Sequence, residues 1–308
     1  MTTRRDQVYR AVARTGPDYV PIYLFNKDQE QSDIVAIGVQ HHFLGSKADT
    51  SEWGFRWERL DETMGQPVAP VLTSSEDVAS LKVPDLAPDW RFAEVPAFVE
   101  RCADQYRLGS LGLSGFTSMS CLRGFDGLME DMALCPAAVE ALADAVFGFE
   151  EQIIVAMAGR GLDAVAFGDD WGTQQGLIIS PASWRRIYKP RYAAQFALAH
   201  QHGMQVYFHC CGKIDPIIPD MIEIGVDLST SRSPTSTTSP NWGGATAARS
   251  VSSARSATRP PRSWARPTRS ARTCACWSST WAGSTAAWWA MWKSTTLSAC
   301  PMPTMRLA

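Results

Sequence analysis

Apolar and polar residues alternate in blocks over the first 228 positions. RRDQVYRAVA (4–13) has helical spacing and runs into Gly16-Pro17, and VPIYLFN (20–26) is a short apolar run that predicts a buried strand. Residues 26–95, with Trp53, Trp57 and several prolines, predict an irregular excursion. A repeating rhythm follows. A helix around 94–105 precedes a strand in RLGSLGLSGF (107–116), then helices over LRGFDGLMEDM (122–132) and PAAVEALADAVFGFEEQIIVAMAGRG (136–161). LDAVAFGDD (162–170) reads as a strand and SPASWRRIYKPRYAAQFALAHQHG (180–203) as a helix, with Ser180-Pro181 at its start and Gly203 near its end. MQVYFHCCG (204–212) is a strand again, DPIIPDMIEIG (215–225) a helix, and a further strand begins at Val226. Strands alternating with helices of this length predict parallel βα units.

Composition changes this picture at one point. The 308 residues carry 29 basic and 31 acidic side chains, a net charge of −2, which excludes a nucleic-acid or membrane-surface binder by bulk charge. With 45% hydrophobic residues a large core can form. Yet all 31 acids lie in residues 1–228, with 19 basic residues, leaving 10 basic residues and no acid in 229–308. That tail holds 16 Ser, 13 Thr and seven of the twelve Trp, but one Val and no Ile, Phe or Tyr, too few aliphatic residues for sheet or barrel layers. The contrast predicts a reading-frame error. Trp288-Trp289-Ala290-Met291-Trp292-Lys293 must be encoded TGG TGG GCN ATG TGG AAR, and starting each codon at its third base gives an ordinary strand ending in Val-Glu. Met302-Pro303-Thr304-Met305 permits Asp-Ala-Asn-Tyr in the same way. Taken instead as genuine, the tail would be a basic segment for RNA or membrane. The expected organisation is a truncated domain of parallel βα units over 1–228 and an aberrant, disordered tail over 229–308, so that the chain as written, with strand edges left unpaired, should be unstable.

Eight cysteines are present, three of them (Cys274, Cys276, Cys300) in the tail, and the irregular spacing of Cys102, Cys121, Cys135, Cys210 and Cys211 is not a disulfide framework. The basic N-terminus lacks a following apolar stretch, and no apolar run approaches membrane-spanning length, so a soluble cytoplasmic protein is expected.

Candidate chemistry gathers where two strands end. His209 and Cys211, two apart on a strand, point to one side and Cys210 to the other. Imidazole and thiolate are both good zinc ligands, but two ligands are not a site. A buried thiol beside a hydrogen-bonded histidine, or a Cys–His nucleophile pair, are the other readings. Asp169 and Asp170 diverge at the preceding strand end, so at most one faces the mouth, to orient a substrate or ligand histidine or to act as an acid or base, while the other caps the turn. Gly172, Gln174 and Gln175 continue a polar, flexible loop suited to a binding-site rim, and Arg123 could take a substrate carboxylate bidentately or form a surface ion pair. His41-His42 falls in the irregular excursion, and His200 and His202 close a helix where they favour its C-terminal dipole. No phosphate-binding glycine motif is present.

The stretches LRGFDGLMEDM, GLDAVAFGDDWGTQQGLIISPASWRRIYKPRY and AHQHGMQVYFHCCGKIDPIIPDMIEIGVD resemble the uroporphyrinogen decarboxylase superfamily, which includes cobalamin-dependent methyltransferases. The resemblance, strongest over 110–228, implies a (β/α)8 TIM barrel with its cleft at the C-terminal strand ends, left incomplete here by the frame-shifted C-terminal part. True porphyrinogen decarboxylases have an arginine-rich motif after the first strand, where this chain reads LFNKDQEQSD. The methyltransferase branch is similar at His209, Cys211 and Gly212, where the family binds zinc to activate a thiol. That branch takes a further Cys near the C-terminus, and the shifted reading of the tail gives Val-Glu, so the third ligand is unassigned. The expected function is thus a zinc-dependent, corrinoid-linked methyltransferase with catalytic roles for Asp169, Asp170 and His209, substrate contacts from Arg123, Trp171 and Gln174, and metal ligands His209 and Cys211. A small-molecule substrate and a corrinoid protein are its partners, with no nucleic acid or membrane. The alternatives are a decarboxylase of uroporphyrinogen or a related polycarboxylate, and a non-catalytic product of a frame-shifted gene.

Overall fold

The computed structural model describes residues 2–25, 28–40, 50–58, 66–86 and 90–231. Helix α1 (Arg4–Ala13) opens the chain, with Thr3 and Asp6 forming a reciprocal capping box. Strand β1 (Ile34–Gly38) follows, then an antiparallel pair, β2 (Arg56–Glu58) and β3 (Gln66–Ala69). Next come α2 (Trp90–Ala93), α3 (Val95–Arg101), β4 (Tyr106–Leu113), α4 (Gly115–Arg123), α5 (Phe125–Leu134) and α6 (Pro136–Met157). Strand β5 (Ala164–Gly168), α7 (Pro181–Ile187), α8 (Lys189–Gln201), β6 (Gln205–Cys210), α9 (Ile218–Glu223) and β7 (Leu228–Ser231) complete the described order.

Five strands form one parallel sheet in the order β1-β4-β5-β6-β7. Each strand pairs with the next in the chain once the small antiparallel pair is set aside, which is the winding of a βα barrel. The described strands do not close on themselves, and β7 ends three residues beyond Leu228. The two sheet faces bury different sets of side chains. Ile34, Tyr106, Leu108, Ala166, Tyr207 and Leu228 share the inner face with Val8 and Val12 of α1. Val35, Val165, Phe167, Val206, Phe208 and Cys210 face the helices. Strand alternation produces this division, and it sends His209 to the inner side with Tyr207.

Two expectations from the sequence need correction. VPIYLFN forms no strand over its described residues, and the first strand is instead Ile34–Gly38, within the stretch expected to be irregular. Residues 115–123, part of which reads as the end of a strand, form helix α4. This helix is held by tertiary contacts, because GFTSMSCLR has two β-branched or aromatic residues and three small polar ones and is buried at all but its last residue. Its first-turn N–H groups, which lack helical partners, are met by two buried carboxyls. Gly115 donates to Glu150 at 2.8 Å, and Phe116 and Thr117 donate to Asp169 at 2.9 and 2.8 Å.

His41-His42 and residues 232–308, including the tail cysteines, lie outside the described residues. None of the five other cysteines forms a disulfide. Among the described residues no helix is long and apolar enough to cross a membrane.

Candidate functional site

The C-terminal ends of β5 and β6 are adjacent because Gly168 pairs with His209 in the parallel register. Beyond them the chain runs as Asp169-Asp170 on one strand and Cys210-Cys211 on the other, and the two loops meet. Cys211 N–H donates to the Asp170 carboxylate at 2.6 Å, and Lys213 N–H donates to the Thr173 carbonyl at 2.8 Å. Gly172 and Gly212 pack backbone to backbone. A Cβ on Gly172 would lie 2.6 Å from Lys213 N, and one on Gly212 would collide with the Gly172 carbonyl group. Gly212 also has φ near +80°, which a residue with a Cβ adopts only at a cost.

This contact brings together three donor side chains, Asp170, His209 and Cys211, whose ligand atoms all lie within 4.8 Å of one another. The His209 Nε2 to Cys211 Sγ distance is 3.5 Å. A tetrahedral zinc with a Zn–S bond of about 2.3 Å and a Zn–N bond of about 2.1 Å separates its sulfur and nitrogen by about 3.6 Å, so the pair stands close to ligand spacing. A thiolate, a carboxylate and a neutral imidazole carry two negative charges together, which matches a divalent ion. Three protein ligands leave a fourth tetrahedral position for water or substrate. The donor set therefore fits zinc, with the Asp170 carboxylate standing beside the His209 and Cys211 pair that the sequence singled out. It comes from the neighbouring strand, 41 residues from Cys211, so only strand register could have found it.

Asp169 turns to the opposite face. It is fully buried and accepts from the Phe116 and Thr117 amides, from the Thr117 hydroxyl at 2.7 Å and from the Tyr192 hydroxyl. Burial pushes its carboxyl up to about 7, against the pull of these donors. Glu150, which accepts from Gly115 N–H at 2.8 Å and from Gln195 Nε2 at 2.9 Å, is raised by burial to about 8. Asp169 thus anchors α4, and Thr117 carries that anchor to the site by accepting from Asp170 N–H at 3.1 Å.

The other candidates separate from this cluster. Trp171 is fully buried, stacked on Phe116, with its indole N–H donating to the Tyr192 hydroxyl at 3.2 Å. Gln174 is exposed in the turn after β5. Arg123 Nε donates to Asp131 at 2.7 Å in a largely buried ion pair between α4 and α5. Cys210 is buried among the helix-facing residues, and its sulfur accepts from Trp171 N–H at 3.2 Å. His200 does more than favour a helix terminus: its Nε2 lies 2.7 Å from Asp227, whose carboxylate also accepts from Val206 N–H, tying α8 to the turn before β7.

Residues 59–238, more than half of the chain, match the family model described as Uroporphyrinogen decarboxylase (URO-D), and the match ends close to the composition break at Leu228. No curated protein matches the chain. Among solved structures, a methyltransferase from Methanosarcina mazei is similar, with a TM-score of 0.59 and 15% sequence identity over 74% of this chain and 76% of that one. At that identity the likeness shows a shared barrel-type fold. The family match over 59–238, in a chain with the parallel winding of a βα barrel, places it in the uroporphyrinogen decarboxylase family.

Proposed function

We propose that the chain is a zinc-dependent methyltransferase of this superfamily that activates a thiol, with a corrinoid, free or carried by a partner protein, as the methyl source. The observation that supports it best is the meeting of Asp170, His209 and Cys211 at ligand spacing. Bound there, zinc would lower the pKa of a substrate thiol and hold it as thiolate. The chain's own residues do the rest. His209 on the inner face of β6 and Cys211 just beyond its end offer donors, and Asp170 both offers a donor and fixes the Cys211 backbone. Gly172 and Gly212 keep the two loops in contact, so the donors are set before a ligand arrives. Asp169 acts as an anchor for α4 rather than as an acid or base, since both its oxygens are occupied by donors.

Decarboxylation of a porphyrinogen or related polycarboxylate is the second reading, favoured by the description of the matched family. It would use Asp170 to hold the substrate and no metal. It draws no help from Arg123, whose guanidinium is engaged by Asp131. Equilibrium dialysis against zinc separates the two. The methyltransferase reading expects one zinc per chain, lost on His209→Ala or Cys211→Ala. Porphyrinogen binding that disappears on Asp170→Ala, in a protein that takes up no zinc, would favour decarboxylation instead.

A further inference from the structure

The imidazole of His209 has a built contact on the side away from Cys211. Its Nδ1 stands 3.1 Å from the Thr230 hydroxyl, while Nε2 stands 3.5 Å from Cys211 Sγ. Thr230 lies on β7, directly opposite His209 in the parallel register, and is buried. Its hydroxyl is also 2.7 Å from that of Tyr207, which shares the inner face of β6 with His209. Tyr207, Thr230 and His209 thus form a short chain of hydrogen-bonding groups that ends at the ring nitrogen facing away from the donor cluster.

Two arrangements of this chain show how it is linked to the tautomer of His209. A hydroxyl has one proton to give and lone pairs with which to accept. In one state Nδ1–H donates to Thr230, Thr230 donates to Tyr207, and the Nε2 lone pair faces Cys211 and Asp170. In the other, Tyr207 donates to Thr230, Thr230 donates to Nδ1, and the proton sits on Nε2 against the sulfur. His209 is a metal donor through Nε2 only where Nδ1 carries the proton and donates to Thr230, because an imidazole binds through an unprotonated nitrogen. We infer that Thr230 is the positioning residue of the site: its hydroxyl accepts from His209 Nδ1–H, fixing the ring's rotation and presenting Nε2 to the cluster. The use of that tautomer rests on the zinc reading above, whereas the hydrogen bond does not. Thr230 stands two residues beyond Leu228, so the role belongs to the chain as written. A corrected frame would put another residue in this place.

The test is zinc affinity measured by competition with a chromophoric chelator on the full chain. Thr230→Val keeps the shape and removes the acceptor, and is expected to weaken zinc binding about ten- to a hundredfold, as loss of a histidine's outer hydrogen bond does. Thr230→Ser, which keeps the hydroxyl, is expected to restore most of it, which a merely structural role of the side chain would not. Thr230→Ala, which cannot crowd the ring, carries the same expectation as the valine variant if that variant disturbs β7. A second readout needs no metal: the His209 Nδ1 resonance in 15N-labelled, metal-free protein should move on Thr230→Val and stay in place on Thr230→Ser. Wild-type zinc affinity in Thr230→Val, or an unmoved Nδ1 resonance, overturns the inference. A moved resonance in a protein that takes up no zinc leaves Thr230 in its role and overturns the zinc reading instead.

Discussion

Replacing Glu150 by Gln should change how stability depends on pH, in a direction and size that follow from burial. Glu150 is fully buried in α6, with one oxygen on Gly115 N–H and the other on Gln195 Nε2, and burial raises its carboxyl from 4.5 to about 8. Between those values the folded chain keeps a proton that the unfolded chain has released. The unfolded state then binds fewer protons, so stability falls as pH rises, by about 1.4 kcal/mol per pH unit for one group. This contribution is complete below 4.5 and is lost as pH climbs through about 8. Glu150→Gln keeps the shape and an oxygen for Gly115 but cannot titrate. Urea unfolding of both proteins at unit steps from pH 5 to 9 gives the difference directly. The variant should gain on the wild type at about 1.4 kcal/mol per pH unit up to pH 8 and then level off. Parallel stability curves across that range would refute a buried, protonated Glu150.

Other consequences concern the site and its support. Gly212→Ala places a Cβ against the Gly172 carbonyl at a positive φ, so it should cost about 1–3 kcal/mol in a denaturant melt and weaken zinc binding along with it. Cys211→Ser should abolish zinc uptake, while Cys210→Ser, on the helix-facing side, should keep it and lower only the midpoint of unfolding; equal zinc loss in both would show that the strand alternation is misread. Arg123→Ala removes the largely buried partner of Asp131 and should cost about 2 kcal/mol of stability with zinc affinity unchanged, and a selective loss of ligand binding in a fully stable variant would return Arg123 to the site.

Much of the fold was legible because burial leaves a period in the sequence. Helix α1, the long α6 and the Ser180-Pro181 start of α7 carry both periodicity and end signals, and β5 and β6 run into the polar residues that marked the candidate site. Strand β1 was hidden because IVAIG is a short apolar run between polar flanks, no stronger locally than VPIYLFN, and is chosen by its pairing with β4. Helix α4 was hidden for another reason: nearly every side chain is buried, so no polar face gives it a 3.6-residue period, and its start is set by Glu150 and Asp169 from distant elements. At the site, the two-residue spacing of His209 and Cys211 sufficed to put them on one side. Choosing between Asp169 and Asp170 required the sheet, since adjacent residues diverge and only the register of Gly168 on His209 says which one meets the cluster.

The central claim is that Asp170, His209 and Cys211 form one metal site, and zinc counted per chain in purified wild type and Asp170→Ala tests it most directly. The account predicts one zinc in the wild type and a loss of at least tenfold in affinity when the carboxylate is removed. A wild-type chain that is folded and takes up no zinc, or an Asp170→Ala chain that binds it as tightly, would contradict it.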